Sequence, residues 1–225
     1  MSLIPFITSQ NECGIDEAGR GSLCGRVYVA AVVLPPIDLF PDATYLKICD
    51  SKKVGEKKRF MLRNYIETNA VAFSVTFAEV EEIDSVNILQ ATMNAMHRAI
   101  ENLLLQVDIE SIAVDGNYWR PFRRQDASKG NTETETDILH GGVIIPATKI
   151  VHGDSKYLHI AAASILAKTY RDEYMCTLPT LWTERYFWKK NKGYGTQDHM
   201  KALQIHGPSP LHRKSFKIPE KIQNS

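Results

Sequence analysis

Apolar positions change their spacing several times along the chain, and each change marks an element. Residues 12–17 lead into a glycine-rich stretch over 18–25, then into the apolar run Val27-Tyr28-Val29-Ala30-Ala31-Val32-Val33-Leu34. A short run without polar alternation reads as a strand buried on both faces. Two strands are predicted, 12–17 and 26–34, joined by a tight turn, with Pro35-Pro36 stopping the second. Residues 37–50 read as loop. Phe60, Met61 and Tyr65 fall near helical spacing and predict a helix over 56–67. Val71, Phe73, Val75 and Phe77 alternate with Ala72, Ser74 and Thr76, the period of a strand with one face in the core. Asn87 stands where an N-cap belongs. Behind it Ile88, Ala91, Ala95, Met96, Ala99 and Leu103 predict an amphipathic helix over 88–105.

Two further short strands, 111–116 and 148–154, are expected to end in acids, Asp115 and Asp154. Residues 160–170 are apolar or small nearly all round and predict a helix buried on the sheet, with Arg171-Asp172-Glu173 marking its emergence to solvent. Strands interspersed with helices in this way indicate an α/β fold. Residues 117–147 are polar and turn-rich, basic at Arg120, Arg123, Arg124 and Lys129 and acidic at Glu133, Glu135 and Asp137, and read as a long loop or small hairpin on the rim. From 185 to 217, eight Lys or Arg stand against one acid, Asp198, interleaved with Tyr186, Phe187, Trp188, Tyr194 and Phe216. That composition suits a phosphate backbone and stacking on sugars or bases.

Composition narrows the function. The formal net charge is only +1, so nucleic-acid binding would need a local patch. The four cysteines, Cys13, Cys24, Cys49 and Cys176, form no CxxC pair; reduced thiols in a cytoplasmic protein are expected. No apolar run approaches the ~20 residues of a membrane span, and Met1 to Gln10 lack the features of a secretion signal. The phosphate-loop pattern GxxxxGK[ST] is absent.

Four acids, Asp16, Glu17, Asp115 and Asp154, lie at expected strand ends or just after them. Strands side by side would bring them together. Two carboxylates about 4 Å apart repel by roughly 4 kcal/mol at an effective dielectric near 20. Such a cluster calls for hard divalent cations, magnesium or manganese; ordinary ion pairs with Arg20, Lys168 or Arg171 are the other reading. Neighbouring strand residues face opposite ways, so Asp16 and Glu17 at one site would require the strand to end or bulge there. Lys52, Lys53, Lys57, Lys58 and Arg59 read either as a solvated helix start or as a phosphate-contacting edge.

Gly14-Ile15-Asp16-Glu17-Ala18-Gly19-Arg20-Gly21 resembles the signature of the ribonuclease HII family. The resemblance continues through Asp50-Ser51-Lys52-Lys53, Val114-Asp115-Gly116, Gly153-Asp154, the run Ile160 to Lys168 with Arg171-Asp172, then Lys192-Gly193-Tyr194-Gly195-Thr196, His199, and His212-Arg213 before Ser215-Phe216. It implies a ribonuclease H-like mixed five-stranded sheet flanked by helices, with a helical C-terminal subdomain. Residues 1–180 would form the catalytic domain, with 117–147 inserted, and 181–225 a basic helical segment packed on it. The implied activity is cleavage of the RNA strand of RNA–DNA hybrids, and nicking of duplex DNA 5′ of an embedded ribonucleotide, leaving 3′-hydroxyl and 5′-phosphate ends. Asp16, Glu17, Asp115 and Asp154 would hold two ions, Mg2+ or Mn2+. Gly19, Arg20 and Gly21 would read the 2′-hydroxyl and adjacent phosphate, and Tyr194 would pack at the RNA-to-DNA junction. Ser51, Lys52, Lys168, Arg171, His212 and Arg213 would make further substrate contacts. A monomer is expected, with a replication-clamp contact as a candidate partnership.

Two positions depart from the family pattern. Ser22 and Arg26 stand where proline is usual, so the loop is expected to differ in stiffness and charge. Three rival readings stand beside this one. The sister type, ribonuclease HIII, carries a Gly-Thr-Gly loop and an added N-terminal domain. A metal-free ribonuclease would use His199, His206 or His212. A catalytically silent hybrid-binding module would keep only the basic segment.

Overall fold

The computed structural model describes residues 3–7, 11–125 and 142–218. Strand β1 (Glu12–Ala18) pairs antiparallel with β2 (Val27–Val33). Helix α1 (Glu56–Asn69) follows, then β3 (Ala72–Ala78), antiparallel to β2. Helix α2 (Val80–Leu104) leads to β4 (Ser111–Asp115), which lies parallel to β1 on its other side. A short antiparallel pair, β5 (Arg123–Gln125) and β6 (Gly142–Ile144), stands apart from the main sheet. Strand β7 (Ala147–Ile150) joins β4 in parallel and completes the order β3-β2-β1-β4-β7. Four helices close the described chain: α3 (Leu158–Thr177), α4 (Thr180–Arg185), α5 (Trp188–Asn191) and α6 (Gln197–His206). Among the described residues no helix is long and apolar enough to cross a membrane.

The unbroken apolar run of β2 has a simple cause: helices cover the sheet on both faces. Val27, Val29, Ala31 and Val33 join the core under α2. Ala30 and Val32, pointing the other way, join the core under α1 and α3. The same parity sorts β1. Cys13 and Ile15 face α2, whereas Gly14 packs against His159 of α3. Full burial of a side chain such as Ile15 contributes about 1.5–3 kcal/mol. Helix α3 presents Ala161, Ala162, Ala163 and Ala167 in the core and so lies close to the sheet. At Gly14 the approach leaves no room, because an added Cβ would stand 2.3 Å from the carbonyl carbon of His159.

Several expected boundaries move. The helix expected over 88–105 begins earlier, at Val80, and bends at Asn87, whose φ is 68°. The Asn87 Oδ1 accepts from the N–H groups of Leu89 at 3.0 Å and Gln90 at 3.1 Å, so it does cap the second segment. Asn tolerates this left-handed backbone better than most residues. Asp154 does not end a strand. β7 stops at Ile150, and Asp154 lies in a separate 3-10 turn, Gly153–Ser155. Arg171 and Asp172 do not mark an exit to solvent, because both are buried and α3 runs on to Thr177. β5 and β6 fall within the expected loop or hairpin over 117–147; its Lys129, Glu133, Glu135 and Asp137 lie outside the described residues.

The aromatic residues of the C-terminal segment are divided. Tyr186 and Trp188 are core residues, packed with Cys24, Met175 and Leu203, and are not available to stack on a substrate. Phe187 is exposed and Tyr194 half-buried.

The close approach at β1 is directly testable. Gly14→Ala is expected to destabilise the fold by about 3 kcal/mol, the upper end of the overpacking range. Gly21→Ala, where an added Cβ meets nothing within 4 Å, is expected to change stability by less than about 0.5 kcal/mol. Urea unfolding of the two variants measures the contrast.

Candidate active site

The site begins where strand pairing stops. The parallel register of β1 with β4 ends at Ile15↔Val114, whereas pairing with β2 continues through Asp16↔Ala30 and Glu17↔Val29 to Ala18↔Tyr28. Asp16 to Ala18 therefore extend beyond this pairing with one edge of β1 free of it. Asp115 follows Val114 at the same level of the sheet. The strand neither ends nor bulges at Asp16-Glu17 as expected, because its register with β2 runs unbroken to Ala18. A cavity of about 410 Å³ is lined by Asp16, Glu17 and Asp115 together.

Asp16 is nearly buried, and its Oδ1 accepts from the Glu17 N–H at 2.7 Å. Burial first, then the charges of Glu17 and Asp115, holds its carboxyl well above the usual carboxylate range. Burial also raises Glu17, against the opposing pull of Arg20, whose Nη1 lies 3.2 Å from Oε1. Asp115 Oδ1 accepts from the N–H of Gly153 at 2.6 Å and so ties the Asp154 turn to the end of β4. Asp154 does not line the cavity. Its carboxyl is raised by burial, then by Asp50 and Asp115.

These carboxylates offer oxygen alone, the donor set of hard divalent cations. Their repulsion and burial favour whatever neutralises them, a proton or a cation. The acids therefore fit a divalent ion. No three of the four bring their oxygens within 4.8 Å of one another; among the described residues the trio that meets this distance is Cys24, His199 and His212.

The other side of the cavity is cationic and aromatic. Gly19, Arg20, Ser51, Lys52, Lys168 and Tyr194 line it, and Gly21 is exposed beyond it. Burial works against the Lys52 ammonium, yet Asp154, Asp16, Asp50 and Asp115 hold its pKa above the ordinary value. The Lys168 Nζ donates to Asp172 Oδ1 at 2.7 Å and stands 5.3 Å from the Tyr194 ring centre.

Arg171, His212 and Arg213, expected on the substrate, are buried and do not line the cavity. Arg171 donates to the carbonyls of Arg26 at 3.1 Å and Lys192 at 2.9 Å, and to Ser22 Oγ at 2.7 Å. Arg213 donates to the carbonyls of Gly25 at 3.0 Å, Arg20 at 3.0 Å and Ser22 at 2.7 Å. They shape the loop from behind. Gly19, with φ of +96°, has no alternative residue here, because a Cβ would stand 2.0 Å from Arg171 Nε. Ser22 accepts the bond from Arg171 and donates to Cys24 O at 3.0 Å. Arg26 pairs with Glu79 at 3.0 Å and lies over the rings of Phe77 and Tyr174.

The sequence profile of the family Ribonuclease HII matches residues 13–218. The chain belongs to the ribonuclease HII family. The ribonuclease HII of Parabacteroides distasonis is 45% identical over 222 residues, covering 98% of each chain. That of Bacteroides thetaiotaomicron is 42% identical over 217 residues, covering 96% of this chain and 94% of its own. Among solved structures, the PCNA:RNase HII complex from Archaeoglobus fulgidus aligns with a TM-score of 0.64 at 22% identity, over 90% of this chain and 92% of that one. The ribonuclease H2 from Pyrococcus horikoshii gives 0.56 at 20% identity, over 92% and 93%. Both share the fold. The chain is thus a metal-dependent ribonuclease H with nucleic-acid substrates.

Several residues of the ribonuclease HII site were not singled out by sequence for these positions. Ser164 of α3 lines the cavity, its hydroxyl 3.0 Å from Ser51 Oγ, and opposes the rise in the Asp16 pKa. Arg59 holds the turn that carries Lys52, donating to Ser51 O at 2.9 Å and Val54 O at 2.8 Å, and it meets Asp172 at 3.4 Å. Asp50 caps that turn through the Lys52 N–H at 2.9 Å and faces Asp154. The sequence signals for this network are the motif blocks Asp50-Ser51-Lys52-Lys53 and Ile160 to Lys168 with Asp172, together with the helical spacing from Lys168 to Asp172.

Metal-free protein should show the repulsion as stability. The folded state raises the Asp16 pKa, so between the ordinary carboxylate value and the raised one it binds more protons than the unfolded chain. Stability from this group is therefore lost as pH rises through that interval. Asp16→Asn keeps the acceptor for Glu17 N–H and removes the charge. In chelator at neutral pH it should melt higher, by about 2–4 °C for each kcal/mol of repulsion relieved. The difference should vanish on acidification, as followed by thermal melts across pH.

Proposed function

We propose that this protein nicks duplex DNA on the 5′ side of an embedded ribonucleotide and cuts the RNA strand of RNA–DNA hybrids. The supporting observation is that Asp16, Glu17 and Asp115 share one cavity with Gly19, Arg20 and Tyr194. Acids suited to metal and groups suited to reading one nucleotide thereby face the same space.

The chemistry is hydrolysis at phosphorus. A water oxygen forms the new P–O bond and gives up a proton to solvent, the P–O3′ bond breaks, and the departing 3′-oxygen takes a proton from solvent. The ends are a 3′-hydroxyl and a 5′-phosphate. Asp16, Glu17, Asp115 and Asp154 would hold two divalent ions, Mg2+ or Mn2+. Bound there, such ions lower the pKa of water and neutralise the departing oxygen.

The chain's own residues select and orient. The 2′-hydroxyl distinguishes a ribonucleotide, and the backbone of Gly19 to Gly21 can approach it closely. Arg20 and Lys52 are placed to accept phosphate. The Tyr194 ring offers a flat face to the sugar lacking a hydroxyl. Two residues of the metal-free alternative, His199 and His212, are buried; the third, His206, is exposed but does not line the cavity. The Archaeoglobus neighbour was solved with PCNA, and a replication-clamp contact belongs to this proposal on that ground.

A duplex holding one ribonucleotide tests the proposal. Nicking on its 5′ side with magnesium or manganese, abolished by chelator, is expected; a cyclic phosphate product or chelator-resistant cleavage refutes it. Asp16→Asn should lose more than about 100-fold in turnover, beyond the loss typical of a group one shell further from a metal. Hybrid binding should survive. Tyr194→Ala should lower cleavage at a lone ribonucleotide about 10-fold more than cleavage of RNA tracts, the value of one aromatic stacking contact. Comparing kcat/KM on the two substrates measures it.

A further inference from the structure

Behind the cavity, three buried side chains that no step above uses come together: Cys24, His199 and His212. Their spacing would suit a metal, but charge and hydrogen bonding argue otherwise. Buried Arg171 and Arg213 influence the Cys24 thiol, and among the described residues neither guanidinium is paired with a carboxylate. Burial pushes that thiol up to about 12, against the pull of both arginines, so it stays protonated. A divalent cation would add charge beside two buried guanidiniums that have carbonyl partners but, among the described residues, no carboxylate to offset them.

The hydrogen bonds, by contrast, follow one direction without a choice. The Ser209 backbone N–H lies 2.9 Å from His212 Nδ1 and can only donate, so Nδ1 accepts. Neutral His212 therefore carries its proton on Nε2, 3.1 Å from His199 Nε2. The Trp188 indole N–H, also a donor only, reaches the same His199 Nε2 at 3.2 Å. His199 Nε2 thus accepts, and its proton sits on Nδ1, 3.0 Å from the Tyr194 carbonyl. Burial holds both rings below the ordinary histidine pKa, which keeps them neutral.

The end of this relay is the peptide that carries Tyr194. Its carbonyl also accepts from Thr196 N–H at 2.7 Å, and its N–H donates to Asn191 O at 3.0 Å. One residue earlier, Gly193 O accepts from Leu23 N–H at 2.9 Å, which binds the same turn to the Gly-Arg-Gly loop. The Tyr194 ring is left facing the cavity beside Lys168 and Arg171.

We propose that His199 and His212 are positioning residues: a neutral relay from Ser209 through both imidazoles fixes the Tyr194 peptide and with it the ring that senses a lone ribonucleotide. This rests on the junction role proposed for Tyr194. His199→Asn and His199→Gln separate the relay from simple packing, because the Asn amide N–H replaces the Nδ1 donor to Tyr194 whereas Gln reaches only the Nε2 position. The Asn variant should keep lone-ribonucleotide cleavage within about 3-fold of wild type. The Gln variant should lose about 3–10-fold more, the worth of one hydrogen bond, with RNA tracts spared. Amide hydrogen exchange at Thr196 should quicken in the Gln variant only, a readout that needs no substrate. Should wild type fail to cut the lone ribonucleotide, the junction role falls while exchange still tests the relay. Gln matching or exceeding Asn, equal loss on both substrates, unchanged exchange, or stoichiometric zinc in the purified protein would overturn it.

Discussion

Carboxylates that repel one another are held side by side at the open end of β1. Asp16 and Asp115 lie on adjacent parallel strands just beyond Ile15↔Val114, so the backbone ladder fixes their approach and the side chains cannot separate at will. The frame must be stiff to sustain this. Its stiffness comes from a sheet covered on both faces and from a helix that comes near enough to β1 to require glycine at position 14. A looser frame would let the acids part, and the site would lose its demand for cations.

The cationic side follows a different logic. Arg20, Lys52 and Lys168 border the cavity, whereas Arg171 and Arg213 are buried behind the loop with backbone carbonyls as partners. Carbonyl dipoles orient a guanidinium without cancelling its charge. The loop is thereby shaped and made electropositive by the same two side chains. Burial and the charge of Arg171 bring Arg213 down to about 10, still cationic at neutral pH.

Much of this was legible from residues alone. The separate strands followed from apolar runs and alternation, their union in one mixed five-stranded sheet from the family resemblance, and the candidate acids from their places after those runs. Other features were not. Nothing in the pattern separates an arginine that meets a phosphate from one spent on carbonyls, because sequence does not report what a guanidinium faces once distant segments meet; Arg171 and Arg213 looked like surface bases. Tyr186 and Trp188 looked like stacking platforms for the same reason, since composition does not report which side of a short helix is covered. Asp50 and Ser164 stood in the motif blocks, but their place beside the acids became visible only through contacts between distant parts of the chain. The supposed bulge at Asp16 was unnecessary because β4 pairing stops one residue earlier, a matter of register that no single strand encodes.

The span of the Arg213–Arg20 hydrogen bond, 193 residues, has a consequence for when the protein becomes competent. On a ribosome, every acid of the cavity is made well before the side chain that braces the Gly-Arg-Gly turn. A nascent chain could gather its carboxylates yet lack a finished recognition loop until Arg213 leaves the exit tunnel. Synthesis order thus completes last the loop proposed to tell RNA from DNA.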